Sequence, residues 1–165
     1  NCIPRNAFIL WLAMLNRLKT QDRVKFWEKS GSLLCPFYLI IPDSHDHLFF
    51  QCEFSNVIWN QCCSKAWIDI SYNNWNDLVL KLCSILKSRT VENLIKKWVF
   101  ASCVSHIWKE RNSRIFCKMR KSNDGVISCI VNEIQLKLLG LRKMNVMVSE
   151  NFLQTWGIFG KNDCK

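Results

Sequence analysis

Glycine is scarce in this 165-residue chain, with five in all. None stands in G-x-x-x-x-G-K, which excludes a loop that cradles nucleotide phosphates. No G-x-S-x-G elbow presents a hydrolase serine. The seven Asp are scattered and no two acidic residues are adjacent. The paired carboxylates with which polymerases hold catalytic metals are therefore missing, and no compact carboxylate cluster of the ribonuclease H kind stands out. No apolar run approaches the roughly 20 residues of a membrane span, and no secretory signal is visible at the start. Strand-like alternation is rare, and there is no internal repeat or low-complexity segment.

What is present is apolar, aromatic and basic. Apolar residues make up 49%, with eight Trp and ten Phe, enough to bury a core and to exclude a disordered chain. The length suits one domain or two small ones. There are 23 Lys and Arg against 13 Asp and Glu, a formal charge of +10, which favours polyanionic partners. The ten cysteines do not read as a disulfide framework, which belongs to loop-rich secreted chains. Cys62 and Cys63 are adjacent, and Cys83, Cys103, Cys117 and Cys129 fall within helix-like patterns. Most are read as buried free thiols, acting as small hydrophobes. The expected location is intracellular, nucleus or cytoplasm, with no membrane partner.

The periodicity is helical. Pro4 can open a first helix, with Phe8, Leu12, Leu15 and Leu18 recurring at three- and four-residue steps beside Trp11. Thr20 reads as the N-cap of a short second helix through Val24 and Trp27, ended by Gly31. Ser55 reads as the next N-cap, ahead of a face of Val57, Ile58, Cys62 and Ala66. Asn73 to Asn76 reads as a loop or cap. Leu78, Leu82, Ile85 and Leu86 mark a helix ending near Ser88. Thr90 caps the longest run, in which Ile95, Val99, Cys103 and Ile107 fall four apart and Val91, Trp98 and Trp108 widen the stripe. Asn123-Asp124-Gly125 reads as a turn before a last helix along Ile127, Ile130, Ile134, Leu138 and Leu141. The remainder, with Phe152, Trp156 and Phe159, has no clean period and receives no assignment.

One stretch breaks this pattern. From Cys35 to Cys52 the chain reads C-x₂-Y-x₈-H-x₄-C, with Pro36 and Pro42 keeping it out of regular helix. Thiolate and imidazole are the ligands Zn²⁺ prefers, and a structural site takes four in a tetrahedron. Cys35, His47 and Cys52 supply three. Tyr38 stands where a fourth would be wanted, and a neutral phenol is a poor ligand. His45, two residues from His47, or a water could complete the shell. The segment then either binds zinc weakly or persists as a packed remnant. An open position also describes a catalytic zinc, but no H-x-E or P-C-x-x-C motif accompanies it. The fold class expected is mainly α, a helical domain with an irregular zinc-finger-like loop segment. Residues 1–70 would form the zinc-binding domain and 71–165 a helical extension, with a soft compositional boundary near Ser88 to Thr90.

Three motifs in order carry a family likeness. Pro4 to Val24 (P-R-N-A-F-I-L-W-L-A-M-L-N-R-L-K-T-Q-D-R-V), then Cys35 with Asp46-His47-Leu48-Phe49, Cys52 and Ile58-Trp59, resemble the zinc-binding domain that follows reverse transcriptase in plant LINE-type retrotransposons. Ile107 to Phe116 (I-W-K-E-R-N-S-R-I-F) is similar to the helical segment often found behind it. In that family the position of Tyr38 is the second Cys of a C-x₂-C pair. The resemblance implies a non-catalytic fragment of a retrotransposon polyprotein with one ligand lost, as in a degenerate copy. It implies Zn²⁺ as cofactor, the rest of the reverse transcriptase polyprotein as partner, and RNA or DNA as ligand. The parent protein would be an RNA-directed DNA polymerase.

For the nucleic acid, Arg17, Lys19, Arg23 and Lys25 form the basic cluster nearest the Cys/His segment. Lysine and arginine contact phosphates without reading sequence. Lys96, Lys97, Lys109, Arg111 and Arg114 read as a solvated helix face, and Lys118, Arg120 and Lys121 as a basic interhelical turn. His106 reads as a partly buried polar residue. The alternative is a structural or docking module that binds neither metal nor nucleic acid.

Overall fold

A computed structural model describes residues 3–23, 34–69, 75–87 and 90–159, and within 75–87 it leaves out the side chains of 76, 82, 85 and 86. The elements are α1 (Pro4–Met14), α2 (Glu53–Lys65), α3 (Trp75–Lys87), α4 (Val91–Asn112), α5 (Asn123–Lys143) and α6 (Glu150–Thr155), with short turns of tighter or wider helix between them. No strand forms among the described residues; a lone antiparallel bridge joins Leu34 and Pro42. The fold is mainly α, as the periodicity indicates. No helix among the described residues is long and apolar enough to cross a membrane.

Helix α4 is the centre. Thr90 caps it by accepting a hydrogen bond from the Asn93 amide. The four-apart stripe Ile95, Val99, Cys103 and Ile107 is fully buried, and every residue from Trp98 to Ser105 is buried as well. Such burial on all sides is what a helix with neighbours around it requires. Helices α1, α2, α3 and α5 all pack on α4, and α2 also packs on α5. The elements before residue 70 thus lie directly against those after it.

Helix α1 turns a different side inward from the one its spacing suggests. Phe8, Trp11 and Leu15 are exposed at 54%, 51% and 45%, while Asn6 and Ala13 are buried. The cause is polar. Asn6 donates to Glu133 Oε1 of α5 at 2.7 Å and to Ser102 Oγ of α4 at 3.4 Å, and Ala13 presents little bulk toward the core. A helix apolar on every side takes its orientation from its one specific polar contact rather than from its hydrophobic stripe.

Other boundaries shift by small amounts with identifiable reasons. Helix α2 starts at Glu53, with Cys52 at the N-cap, so Ser55 is a buried residue of its first turn. Asn123-Asp124-Gly125 forms the first turn of α5, capped by Ser122. The unassigned tail contains α6, capped by Ser149 and burying Phe152, Leu153 and Trp156. Six residues are too few to show a helical period. After Thr20 the chain makes a single tight turn, Gln21–Arg23. The remainder of the second helix expected there, with Val24, Trp27 and Gly31, lies outside the described residues, as do the side chains of Leu82, Ile85 and Leu86.

The eight cysteines described are free thiols. Cys35, Cys52, Cys62, Cys63 and Cys103 are buried, whereas Cys83 and Cys117 are exposed, so helical register alone overstated the burial of those two.

Candidate metal centre

The Cys/His segment is built from two local folds. The first is a tight knuckle. Leu34 bridges to Pro42, the Cys35 amide donates to the Ile41 carbonyl at 2.7 Å, and the Leu39 amide donates to the Cys35 carbonyl at 2.8 Å. Leu39 takes a left-handed conformation to close it (φ 57°). The tip, Tyr38 to Ile41, is exposed. The second is a π-helical turn, His47–Gln51, closed by the Cys52 amide donating to the His47 carbonyl at 2.8 Å. A bond spanning five residues explains the H-x₄-C spacing: it brings the backbones of the two ligands together across one wide turn. Leu48 and Phe49 anchor that turn in the core.

The outcome is convergence. The ligand atoms of Cys35, His47 and Cys52 all lie within 4.8 Å of one another, and the two sulfurs are 3.9 Å apart. All three residues are buried. Hydrogen bonding from Cys52 holds the Cys35 thiol well below its ordinary range, helped by the amides of Phe37 and Tyr38; the same bond pushes Cys52 up. The amides of Ser55 and Phe54 favour ionised Cys52 in turn.

Both ring nitrogens of His47 are buried without a hydrogen-bond partner among the described residues. A buried polar atom left so costs about 1–3 kcal/mol. Two sulfurs with amides directed at them and one unpartnered imidazole form a donor set that fits Zn²⁺.

The fourth position is a different matter. Tyr38 is 42% exposed, and its hydroxyl donates to Glu53 Oε2 at 2.9 Å, which raises its pKa above the ordinary phenol value. The phenol is engaged by a carboxylate. His45 stands outside the converging cluster. Its ring packs edge-on against Phe49 and Trp75, with centroids 5.0 and 4.6 Å away, and burial lowers its pKa to about 4. It is a neutral ring in an aromatic box.

Of the basic residues nearest the segment, Arg17, Lys19 and Arg23 are exposed, and Lys25 lies outside the described residues. Asn16 adopts a left-handed stop after α1, with the Arg17 amide donating back to the Leu12 carbonyl. Arg23 donates to the Asn16 carbonyl, so Arg17 and Arg23 are held at the same end of α1.

Two arginines read as part of a solvated face are instead part of the centre's support. Arg111 is buried and forms a bidentate pair with Asp43, which is itself fully buried. Asp43 also accepts from the Gln21 amide at 2.9 Å. Removing one partner of such a pair typically costs about 3–5 kcal/mol, because the other charge is left buried. Arg114 lies over the rings of Phe37 and Phe54, 4.7 and 4.6 Å from their centroids, and those rings stack at 4.3 Å. Glu110 holds Arg114 Nε at 2.9 Å and accepts from the Lys121 amide at 2.8 Å. The signal for Arg111 was available in the register: it falls four residues after Ile107, in line with the buried stripe. His106, as its spacing suggests, is partly buried, with Nε2 3.1 Å from Glu133 Oε2.

No curated protein and no solved structure matches the chain. Residues 1–59, which carry all three converging ligands, match the family model described as zinc-binding in reverse transcriptase.

Proposed function

We propose that the chain is a non-catalytic module of a reverse transcriptase polyprotein, of the plant LINE type, that binds Zn²⁺ through Cys35, His47 and Cys52 and nucleic acid through Arg17, Lys19, Arg23 and Lys25. Residues 1–70 are the metal-bearing module and residues 71–165 its helical extension. The carrying observation is the burial of two thiols and an unpartnered imidazole at one point, inside the stretch that matches a zinc-binding family. Bound zinc supplies a cross-link between the knuckle and the π-turn, without redox or acid–base chemistry. The protein's own part is to bring the two sulfurs and the imidazole together in a buried position. The three residues would leave one position of a tetrahedral zinc open to water.

Support for the nucleic-acid side comes from α1. From Asn1 to Gln21 there is no carboxylate, while Arg5, Arg17 and Lys19 are cationic. The unburied side of α1 carries Phe8 and Trp11, with ring centroids 5.9 Å apart. Exposed aromatics beside cations suit single strands, whose bases stack and whose phosphates pair. A structural role draws instead on the neutralisation of Arg111 and Arg114 inside the protein.

Metal analysis of the purified chain beside Tyr38→Cys tests the first half. Substoichiometric zinc in the wild type and one equivalent in the variant is the expected result; zinc in neither overturns the metal reading. Gel-shift titrations with single-stranded RNA and DNA test the second. Absence of binding even at low salt overturns it and leaves the docking role.

A further inference from the structure

We infer that the C-terminal end of α4 and the wide turn that continues it, Ser113–Cys117, do for the metal loop what a fourth ligand would otherwise do: Arg111, Arg114 and Glu110 hold the loop closed, so that its shape does not depend on metal. The inference rests on the zinc reading for its ligand set, but its mechanical part stands on contacts alone.

A loop held by four ligands is closed by its metal, and small metal modules commonly unfold without it. Here the closing contacts are of another kind. The knuckle carries Cys35 and Phe37; the start of α2 carries Cys52 and Phe54. Each phenylalanine thus lies two residues beyond a ligand sulfur. The two rings stack at 4.3 Å, and the Arg114 guanidinium covers both. This clamp joins the two cysteine-bearing segments.

Arg114 is not loose. Glu110 bonds its Nε at 2.9 Å, and its Nη2 donates to the Lys121 carbonyl at 2.8 Å. On the other side, Asp43 precedes His47 by four residues and is tied to Arg111. Arg111 also lies over the Trp108 ring, 4.7 Å from its centroid. Both flanks of the site are therefore fastened to one helix end. None of these helix residues falls within the matched residues 1–59. With the clamp in place, Tyr38 is free to bond Glu53 on the surface.

Arg111 and Arg114 are accordingly positioning residues for the site. The cysteines themselves supply the readout. Cys35 and Cys52 report the loop, while Cys62, Cys63 and Cys103 are buried in the helical core and report global opening. The experiment is site-resolved alkylation by mass spectrometry on the full chain after chelation, for wild type, Arg111→Met and Arg114→Ala, with Co²⁺ titration of each by thiolate absorption.

Chelated wild type is expected to keep its helical circular dichroism and to alkylate Cys35 and Cys52 slowly. Arg114→Ala, which leaves Glu110 its bond from the Lys121 amide, is expected to speed alkylation of those two at least fivefold. Cys62, Cys63 and Cys103 should stay unchanged, and Co²⁺ affinity should fall by a similar factor. Arg111→Met is expected to do the same more strongly. If chelation alone exposes Cys35 and Cys52 in the wild type, metal holds the loop and the inference fails. It fails equally if Arg114→Ala leaves their rates unchanged, or if all five buried cysteines respond together. Absence of Co²⁺ uptake by the wild type would defeat the zinc reading, while the alkylation pattern would still decide the clamp.

Discussion

Single residues in this chain do work that glycine does elsewhere. Four helices end on a left-handed residue whose amide, with that of its successor, folds back onto the last turn: Asn16, Trp67, Asn145 and Gly157. Only one of the four is glycine. Asparagine tolerates this region, but tryptophan does not do so readily. Trp67 is held there by its edge contact with Phe152 at 5.1 Å and by burial of the following Ile68. Lys118 takes the same conformation (φ 54°) after the Ser113–Cys117 turn, where it is exposed and no ring contact holds it. Lys118→Gly should therefore relieve strain of about 1–2 kcal/mol, partly offset by the greater freedom of glycine in the unfolded chain. The net gain expected is about 0.5–1 kcal/mol, read as a higher urea midpoint at unchanged slope. A lower midpoint would show that the lysine side chain stabilises the turn by more than its backbone costs. Such positions are hard to find from sequence, because the usual marker of a left-handed stop is a glycine and here it is mostly absent.

At the scale of elements, the helices with strong four-apart patterns were legible, and the polar contacts that orient them were not. The core stripe of α4 and its Thr90 cap follow from residue order alone. The facing of α1 does not, because it depends on Glu133, which is 127 residues from Asn6. Glu133 joins three helices: it accepts from Asn6 of α1 and Ser102 of α4, and its other oxygen meets His106. Burial by itself would raise the Glu133 carboxyl, but hydrogen bonds from His106, Ser102 and Asn6 outweigh it and hold the carboxyl below its usual 4.5. A carboxylate lowered in the folded state adds stability above its unfolded pKa, and that stability is lost as pH falls through the lower folded value. Glu133→Gln should thus cost about 1–3 kcal/mol at neutral pH, the usual loss for charge-assisted hydrogen bonds. It should also make stability fall less steeply than in the wild type as pH drops below about 4.5. Equal acid slopes in the two proteins would mean that the network carries no linked proton. The metal centre shows the same division. Its three ligands stand out by spacing, whereas Asp43, Arg111 and Arg114 matter only once the loop has been laid on α4.

For the molecule as a whole, the charge of +10 has two components. Arg111 and Arg114 are spent internally against Asp43 and Glu110. The cations about α1, Arg5, Arg17 and Lys19, stand in a stretch, residues 1–21, whose sequence holds no carboxylate. If the nucleic-acid reading holds, salt dependence separates these components, because only surface cations release counterions from the strand. Four phosphate contacts, by Arg17, Lys19, Arg23 and Lys25, would give log affinity a slope of about −3 against log salt, at roughly 0.7 per contact on a single strand. Arg17→Glu with Lys19→Glu should reduce that slope to about −1.5 or shallower by the same arithmetic. Phe8→Ala and Trp11→Ala should act differently, lowering affinity by about 1–3 kcal/mol per stacked base with the slope retained. Fluorescence-anisotropy titrations of a labelled single strand at several salt concentrations measure both effects. A slope that ignores Arg17 and Lys19 would place the strand elsewhere on the surface. If Trp11→Ala changes the sedimentation of the free protein and not its affinity for RNA, that face of α1 contacts protein instead.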